Sequence, residues 1–419
     1  MRILFVSAHL PSDLHTESQG MYKRMRMFVD ALKEIAQLDM LFYVSPETKL
    51  SEAAIAQLKQ EFAQYWQVDV NLFLCPQQLA AGSKLKQQGA GIVNFFQQGG
   101  FVSTSGSAQV LALESRLAHN PDAIFAHGLQ AMCPALLTSK PLPPIFFDLD
   151  NIEHVMFMRQ IRQPPTRLRT LLYYLQVPTL WRGEQQAIRL AKQTFVCSEH
   201  DRRYLAEQKR LSGITVVPNA LTIPAPQPLT AEPTLLLLGA YHYYPNINAA
   251  NFLIEQVWPQ VLQAMPTARL IIGGKEPHHI RSYDKGVPGV EFTGFVDDLD
   301  ALYRRSRVVC CPIFSGGGTR IKMIEAAAYG KPIVATHIGV EGLEMTDGQE
   351  FLLRNHPQEF AEACLELLRN DALCDRLGNA ARSVAIQHYN RSNIVQHIQQ
   401  SIQSELIISA NQSTYAYQS

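Results

Sequence analysis

The chain has 419 residues, 47% hydrophobic and 18% charged, with 37 basic against 37 acidic side chains. At roughly 100–200 residues per domain, this length predicts two domains, each with apolar material for its own core. Zero formal charge argues against a duplex nucleic-acid binder, which carries a basic face.

The elements follow from pattern. Arg2–Ser7, Met40–Val44, Val70–Leu74, Ala123–Ala126, Ile145–Asp148, Thr194–Ser198 and Thr215–Val217 read as short apolar strands. Helical patterns separate them at Met21–Ile35, Glu52–Gln64, Gln109–Ala118 and Trp181–Ala191. Alternation of this kind predicts βαβ units and a parallel sheet. A break follows, with Pro218, Pro224, Pro226, Pro228 and Pro233 in one aperiodic stretch. It reads as a linker. The second half repeats the scheme. Strands are expected at Leu235–Leu238, Arg269–Ile272, Val290–Phe292, Val308–Pro312, Ile333–Thr336 and Phe351–Leu353. Helices are expected at Ile247–Met265, Leu299–Arg305, Thr319–Tyr329 and Gln358–Leu368, with another from Ala372.

The fold class expected is therefore α/β, with two doubly wound Rossmann-like parallel-sheet domains facing across a cleft. The first spans 1–217 and the linker 218–233. The second spans 234–384, with a helix at 385–405 packing back on the first and a frayed tail at 406–419. Ligands of such sheets sit at the carboxyl ends of the strands.

One segment carries the chemistry. The strand ending at Pro312 runs into Ser315-Gly316-Gly317-Gly318, and a helix opens near Thr319. Three glycines let the backbone approach a ligand closely. The first N–H groups of the helix and its dipole make an anion site. Arg320 adds charge in the first turn. Lys322 and Glu325 stand three apart and share a face. The cations suit a pyrophosphate, and the carboxylate suits the vicinal hydroxyls of a ribose. Neither a P-loop nor a dinucleotide G-x-G-x-x-G follows a strand here.

The stretch Gly316–Thr336 resembles the donor-binding core of glycosyltransferase family four, also called group one. Val217-Pro218-Asn219, Leu238-Gly239, Leu270–Gly274 and Phe292–Val296 fit the same family. The resemblance implies the GT-B fold, retention of anomeric configuration and no required metal or other cofactor. It implies that Glu325 holds the donor ribose and that Phe295 and Val296 receive the base. Gly20 resembles a first-domain glycine facing the phosphates. His127 resembles a histidine that contacts the donor sugar. Gly317 stands where the family's first acidic residue falls. The stretch Gly239–Asn246 lacks the Arg and Lys that relatives often carry. Arg320 and Lys322, with the amides of Gly316, Gly317, Gly318 and Thr319, are expected to grip the diphosphate instead.

The expected activity is transfer of a hexose from a nucleoside-diphosphate sugar, UDP- or GDP-linked, to a hydroxyl of a glycan or lipid-linked acceptor. The setting would be cell-surface polysaccharide or glycolipid synthesis. A nucleotide-sugar 2-epimerase and a non-catalytic sugar-nucleotide-binding subunit are the alternatives on the same fold. A metal-dependent GT-A enzyme is a weaker rival, resting on Asp148-Leu149-Asp150. Residues 156–181 mix Met, Phe, Leu and Tyr with Arg159, Arg162, Arg167 and Arg169, a composition able to contact an anionic membrane surface.

Seven cysteines form no Cys-x-x-Cys pair, which predicts buried thiols in a reducing compartment. Met1–Ser7 is too short for a signal-peptide core, and no run reaches the about 18 apolar residues that span a bilayer. A cytoplasmic protein, or one at the inner face of the membrane, is expected.

Overall fold

Strands of a parallel sheet are covered on both faces, so they read as unbroken apolar runs. The first seven have that character: β1 (Arg2–Ser7), β2 (Gln37–Val44), β3 (Asn71–Pro76), β4 (Ala123–His127), β5 (Ile145–Leu149), β6 (Gln193–Val196) and β7 (Ile214–Val216). The computed structural model describes residues 1–11, 20–44, 51–66, 71–76, 106–162, 174 and 176–416. Within them the chain divides into two compact units, Met1–Val217 with Ile394–Ser419, and Pro218–Asn393.

The first unit is a seven-stranded sheet in the order β3-β2-β1-β4-β5-β6-β7. Pairing is parallel throughout. The chain winds outward from β1 to β3, then returns to lay β4 beside β1. At that reversal Ser7, the last residue of β1, pairs with His127, the last residue of β4. The helix Arg391–Ala416 enters this unit from Ile394 and buries Ile398 and Ile402 completely. Gln399 Nε2 donates to the Ala31 carbonyl at 3.2 Å, and Gln193 Nε2 donates to Ser401 Oγ at 2.7 Å. The helix continues to Ala416, through residues expected to fray.

The second unit contains β8 (Thr234–Leu238), β9 (Arg269–Gly273), β10 (Val290–Gly294), β11 (Val308–Cys311), β12 (Ile333–Ala335) and β13 (Leu352–Leu353). Their order is β10-β9-β8-β11-β12-β13, again all parallel, with the reversal between β8 and β11. The Pro-rich stretch 218–233 clusters with this unit. Two doubly wound parallel α/β sheets are thus present. The expected single helix Ile247–Met265 is instead Tyr244–Phe252, a π-turn at Leu253–Val257, then Trp258–Ala264. Pro259 cannot donate to the ladder, and a π-turn is one way a helix absorbs that loss.

Two backbone turns approach each other closely at the carboxyl edge of the second sheet. Gly239 N donates to the Gly273 carbonyl at 3.0 Å, and Gly274 N to the Gly294 carbonyl at 2.8 Å. Gly274 has φ +133°, and a β-carbon there would lie 1.6 Å from the Gly239 carbonyl oxygen. No other residue fits. All seven cysteines are buried, and none is in a disulfide.

Candidate functional site

In the second unit the site lies at the β8/β11 reversal, where open α/β sheets bind ligands. β11 delivers its chain into Pro312–Arg320, and the helix Ile321–Ala328 follows. Ser315 and Thr319 are buried, and Thr319 Oγ1 accepts a hydrogen bond from Asn219 Nδ2 at 2.9 Å. The turn between them needs its glycines. Gly316 has φ +115°, and a β-carbon there would stand 3.1 Å from Tyr243 Oη and 3.3 Å from Arg320 Nη2. Gly318 has φ +62°. Among the described residues no side chain caps the helix, whose N-cap residue is Arg320. Uncapped N–H groups at a helix start are available to an anion.

The two cations behave differently. Arg320 folds back on its own loop, Nη1 donating to the Gly317 carbonyl and, at 2.9 Å, to the Gly318 carbonyl. Lys322 reaches across the reversal. Its Nζ donates to the Leu238 carbonyl at 2.7 Å and to Asn246 Oδ1 at 2.7 Å. An ammonium has three donors, and among the described residues these two bonds use two of them. Burial, with Arg320 nearby, pushes the Lys322 ammonium below its ordinary pKa, against the pull of Cys311 and Glu325.

Glu325 lies half-buried one turn further along the same helix. Beneath it, Tyr303 is fully buried and stacks on Tyr329 with centroids 4.1 Å apart. Burial, then the charge of Glu325, raises the Tyr303 phenol well above its usual range. Phe295 follows β10, is 40% exposed and lies under Lys275, whose Nζ is 4.7 Å from the ring centroid. Val296 packs against the core. Gly316, Gly317, Gly318, Thr319, Arg320, Lys322, Glu325, Phe295 and Val296 therefore all follow the carboxyl ends of strands in one unit.

In the first unit His127 ends β4 and is fully buried. Its Nδ1 meets Asp148 Oδ2 at 2.9 Å. Arg24 Nη2 donates to Asp148 Oδ1 at 2.6 Å, and Arg24 Nε lies 2.9 and 3.1 Å from the two carboxylate oxygens. Burial alone would push the Asp148 carboxyl up; Arg24 and His127 hold it below the usual carboxylate range. His9 lies edge-on to His127, with centroids 6.4 Å apart. Burial and His127 hold the His9 imidazole down at about 4. Gly20 opens the helix Gly20–Lys33 and is exposed.

The Asp148-Leu149-Asp150 pattern does not form an open carboxylate pair. Asp148 is closed by Arg24 and His127, and Asp150 Oδ2 accepts from Asn151 Nδ2 at 2.8 Å. Among the described residues, the grouping with spacing able to hold a metal ion is Glu276, His278 and His279, exposed after β9. Residues 163–173 and 175, which include Arg167 and Arg169, lie outside the described residues; Met156, Phe157, Met158 and Arg159 are half-buried. Among the described residues no helix is long and apolar enough to cross a membrane. A cavity of about 370 Å³ bounded by Pro226, Gly330, Lys331 and Arg382 sits at the opposite, amino-terminal edge of β12 and takes no part in the site.

Several site residues escape pattern reading. Asn219 was visible only as part of a Val-Pro-Asn tripeptide, and Asn246 only in a stretch lacking cations. Arg24 and Asp148 stand 124 positions apart, and nothing local couples them. A buried Arg on an amphipathic helix was the available signal, since an unpaired guanidinium does not stay buried.

Residues 232–370 match the family model described as glycosyl transferases group 1. Phosphatidyl-myo-inositol mannosyltransferase of Mycobacterium leprae is 30% identical over 171 residues, which are 39% of this chain and 45% of that protein. The chain thus spans under half the length of the curated relatives it matches. Among solved structures, a sucrose-phosphate synthase from Thermosynechococcus elongatus superimposes with TM-score 0.65 at 15% identity, covering 98% of this chain and 99% of that one. Anabaena HepE, in complex with UDP, also gives TM-score 0.65 at 15% identity, over 96% of this chain and 100% of its own. The fold is that of the GT-B glycosyltransferases.

Proposed function

We propose that this chain is a retaining glycosyltransferase that moves a hexose from a nucleoside-diphosphate sugar to a hydroxyl of a glycan or lipid-linked acceptor, without a metal. The observation that carries the reading is the conjunction at the β8/β11 reversal. A glycine turn of positive φ leads into a helix with no side-chain cap among the described residues, and Lys322 and Glu325 follow on its half-buried side. The group 1 match over residues 232–370 supports it. So does the UDP named in the HepE complex.

On this reading the amides at Gly317–Thr319 and the third proton of Lys322 receive the diphosphate. Glu325 accepts both ribose hydroxyls, and the base lies against Phe295 and Val296. As the bond between the anomeric carbon and the β-phosphate oxygen breaks, negative charge grows on the diphosphate. Donors already aimed there lower the barrier, each worth about 10²–10³ in rate. The leaving phosphate takes the acceptor proton as the new glycosidic bond forms on the same face. For Arg320 Nη1 to join, it would have to give up the Gly317 and Gly318 carbonyls. His127 supplies a polar contact for a sugar. A cytoplasmic location, with peripheral membrane contact through 156–181, suits a lipid-linked acceptor.

Thermal unfolding with a nucleotide panel tests the reading. A ligand at about 100 times its Kd stabilises by roughly 2.7 kcal/mol. UDP or GDP should shift the midpoint, and Glu325→Ala should remove the shift. No response to any nucleoside diphosphate would overturn the assignment. With a responsive donor, product analysis without acceptor separates transfer from 2-epimerisation.

A further inference from the structure

His127, Asp148 and Arg24 form a closed charge chain with one loose end. His127 and Asp148 are register partners on β4 and β5. Their side chains are 0% exposed, and that of Arg24 is 1% exposed. The remaining arm of Arg24, Nη1, donates to the Val217 carbonyl at 2.7 Å, so the guanidinium is fixed from two sides. The other imidazole nitrogen, His127 Nε2, is buried and has no hydrogen-bond partner among the described residues. A buried polar atom without a partner is uncommon and calls for a reason.

The proton position on the ring follows from donor and acceptor roles. An ionised carboxylate only accepts, so Nδ1 must carry hydrogen. Arg24 already balances the charge of Asp148. In the neutral ring a hydrogen on Nδ1 puts the lone pair on Nε2. The atom stands at the β1/β4 reversal, where ligands of such sheets bind.

We propose that Arg24 and Asp148 are positioning residues that hold His127 as the Nδ1–H tautomer, so that Nε2 accepts a hydrogen bond from a sugar hydroxyl. The identity of that hydroxyl rests on the glycosyltransferase reading; the tautomer does not. Asp148→Asn gives a directional test. Arg24 can only donate, so it claims the Asn oxygen. The Asn NH₂ then faces Nδ1, and the ring proton moves to Nε2. The acceptor becomes a donor with almost no change in shape.

The test is ¹⁵N NMR of histidine-labelled full-length protein, with the His127 signal assigned by its loss in His127→Gln. The wild type should show hydrogen on Nδ1. Asp148→Asn should show it on Nε2, with transfer slowed on the order of 10²-fold and the nucleotide-induced thermal shift unchanged. Hydrogen on Nε2 in the wild type would overturn the proposal, even if Asp148→Asn does not fold. A tautomer switch without loss of turnover would overturn the positioning role. Absence of any transfer activity would count against the glycosyltransferase reading alone, since the NMR result stands by itself.

Discussion

Lys322 joins packing and chemistry in one side chain. Its ammonium bridges the Leu238 carbonyl and Asn246, so it ties the helix Ile321–Ala328 to the end of β8. Its third proton is the one assigned to the diphosphate. Lys322→Ala should therefore lower kcat by about 10²–10³. It should also lower stability by roughly 1–3 kcal/mol, because the Leu238 carbonyl loses its donor. Steady-state kinetics beside a denaturant titration would resolve both, and unchanged turnover would remove Lys322 from the diphosphate site. His9 makes a second residue-scale case. Its folded pKa of about 4 lies below the ordinary value of 6.5. Between those values the unfolded chain binds the extra proton, so stability is present above about pH 6.5 and drains away as pH falls toward 4. His9→Asn should flatten the melting temperature over that window and leave it nearly unchanged at pH 7.5. A wild-type melting temperature that does not fall on acidification would contradict the assignment.

At the scale of elements, the strands were legible because burial on both faces writes itself as apolar runs. β1 and β5 show this plainly, each with a fully buried middle. Ends were less legible. His127 was expected just past a strand but is the final residue of β4, because its backbone still pairs with Ser7 and Asp148. The glycine turn was visible from composition, yet the reason for each glycine was not. Gly316 is confined by Tyr243 and by Arg320, and the first of these lies far off in sequence. Gly274 is the sharper instance, since a methyl group would meet the Gly239 backbone. That backbone is itself tied down, with Gly239 N donating to the Gly273 carbonyl at 3.0 Å. Gly274→Ala should cost at least about 3 kcal/mol by overpacking and strain at positive φ. Gly286→Ala is a control with positive φ but open space, and should cost about 1 kcal/mol. Urea titration of the pair would decide this, and equal losses would mean that crowding at Gly274 is relieved elsewhere.

The whole molecule returns its carboxyl terminus to its first unit. The chain leaves that unit at Val217 and re-enters it at Ile394. The returning helix buries Ile398 and Ile402, anchors Gln399 on Ala31, and places Glu405 3.3 Å from Lys192. The second unit closes before this helix turns in, with Leu221 paired to Asn390 and Leu221 N bonded to the Tyr389 carbonyl. Pro-rich composition announced a boundary at 218, and a helix expected at 385–405 was read as packing back on the first unit; the helix that does so is Arg391–Ala416. Burial rather than pattern fixes its contacts. A truncation after Asn393 should therefore separate the units energetically. It exposes the apolar sites that Ile398 and Ile402 fill, each worth about 1.5–3 kcal/mol. The first unit should then melt early, while the second keeps its core and its glycine turn. Calorimetry should show one transition moved down and one in place, with a nucleotide still shifting the one that stays. Loss of nucleotide response along with the first unit's transition would place the nucleotide site outside Pro218–Asn393.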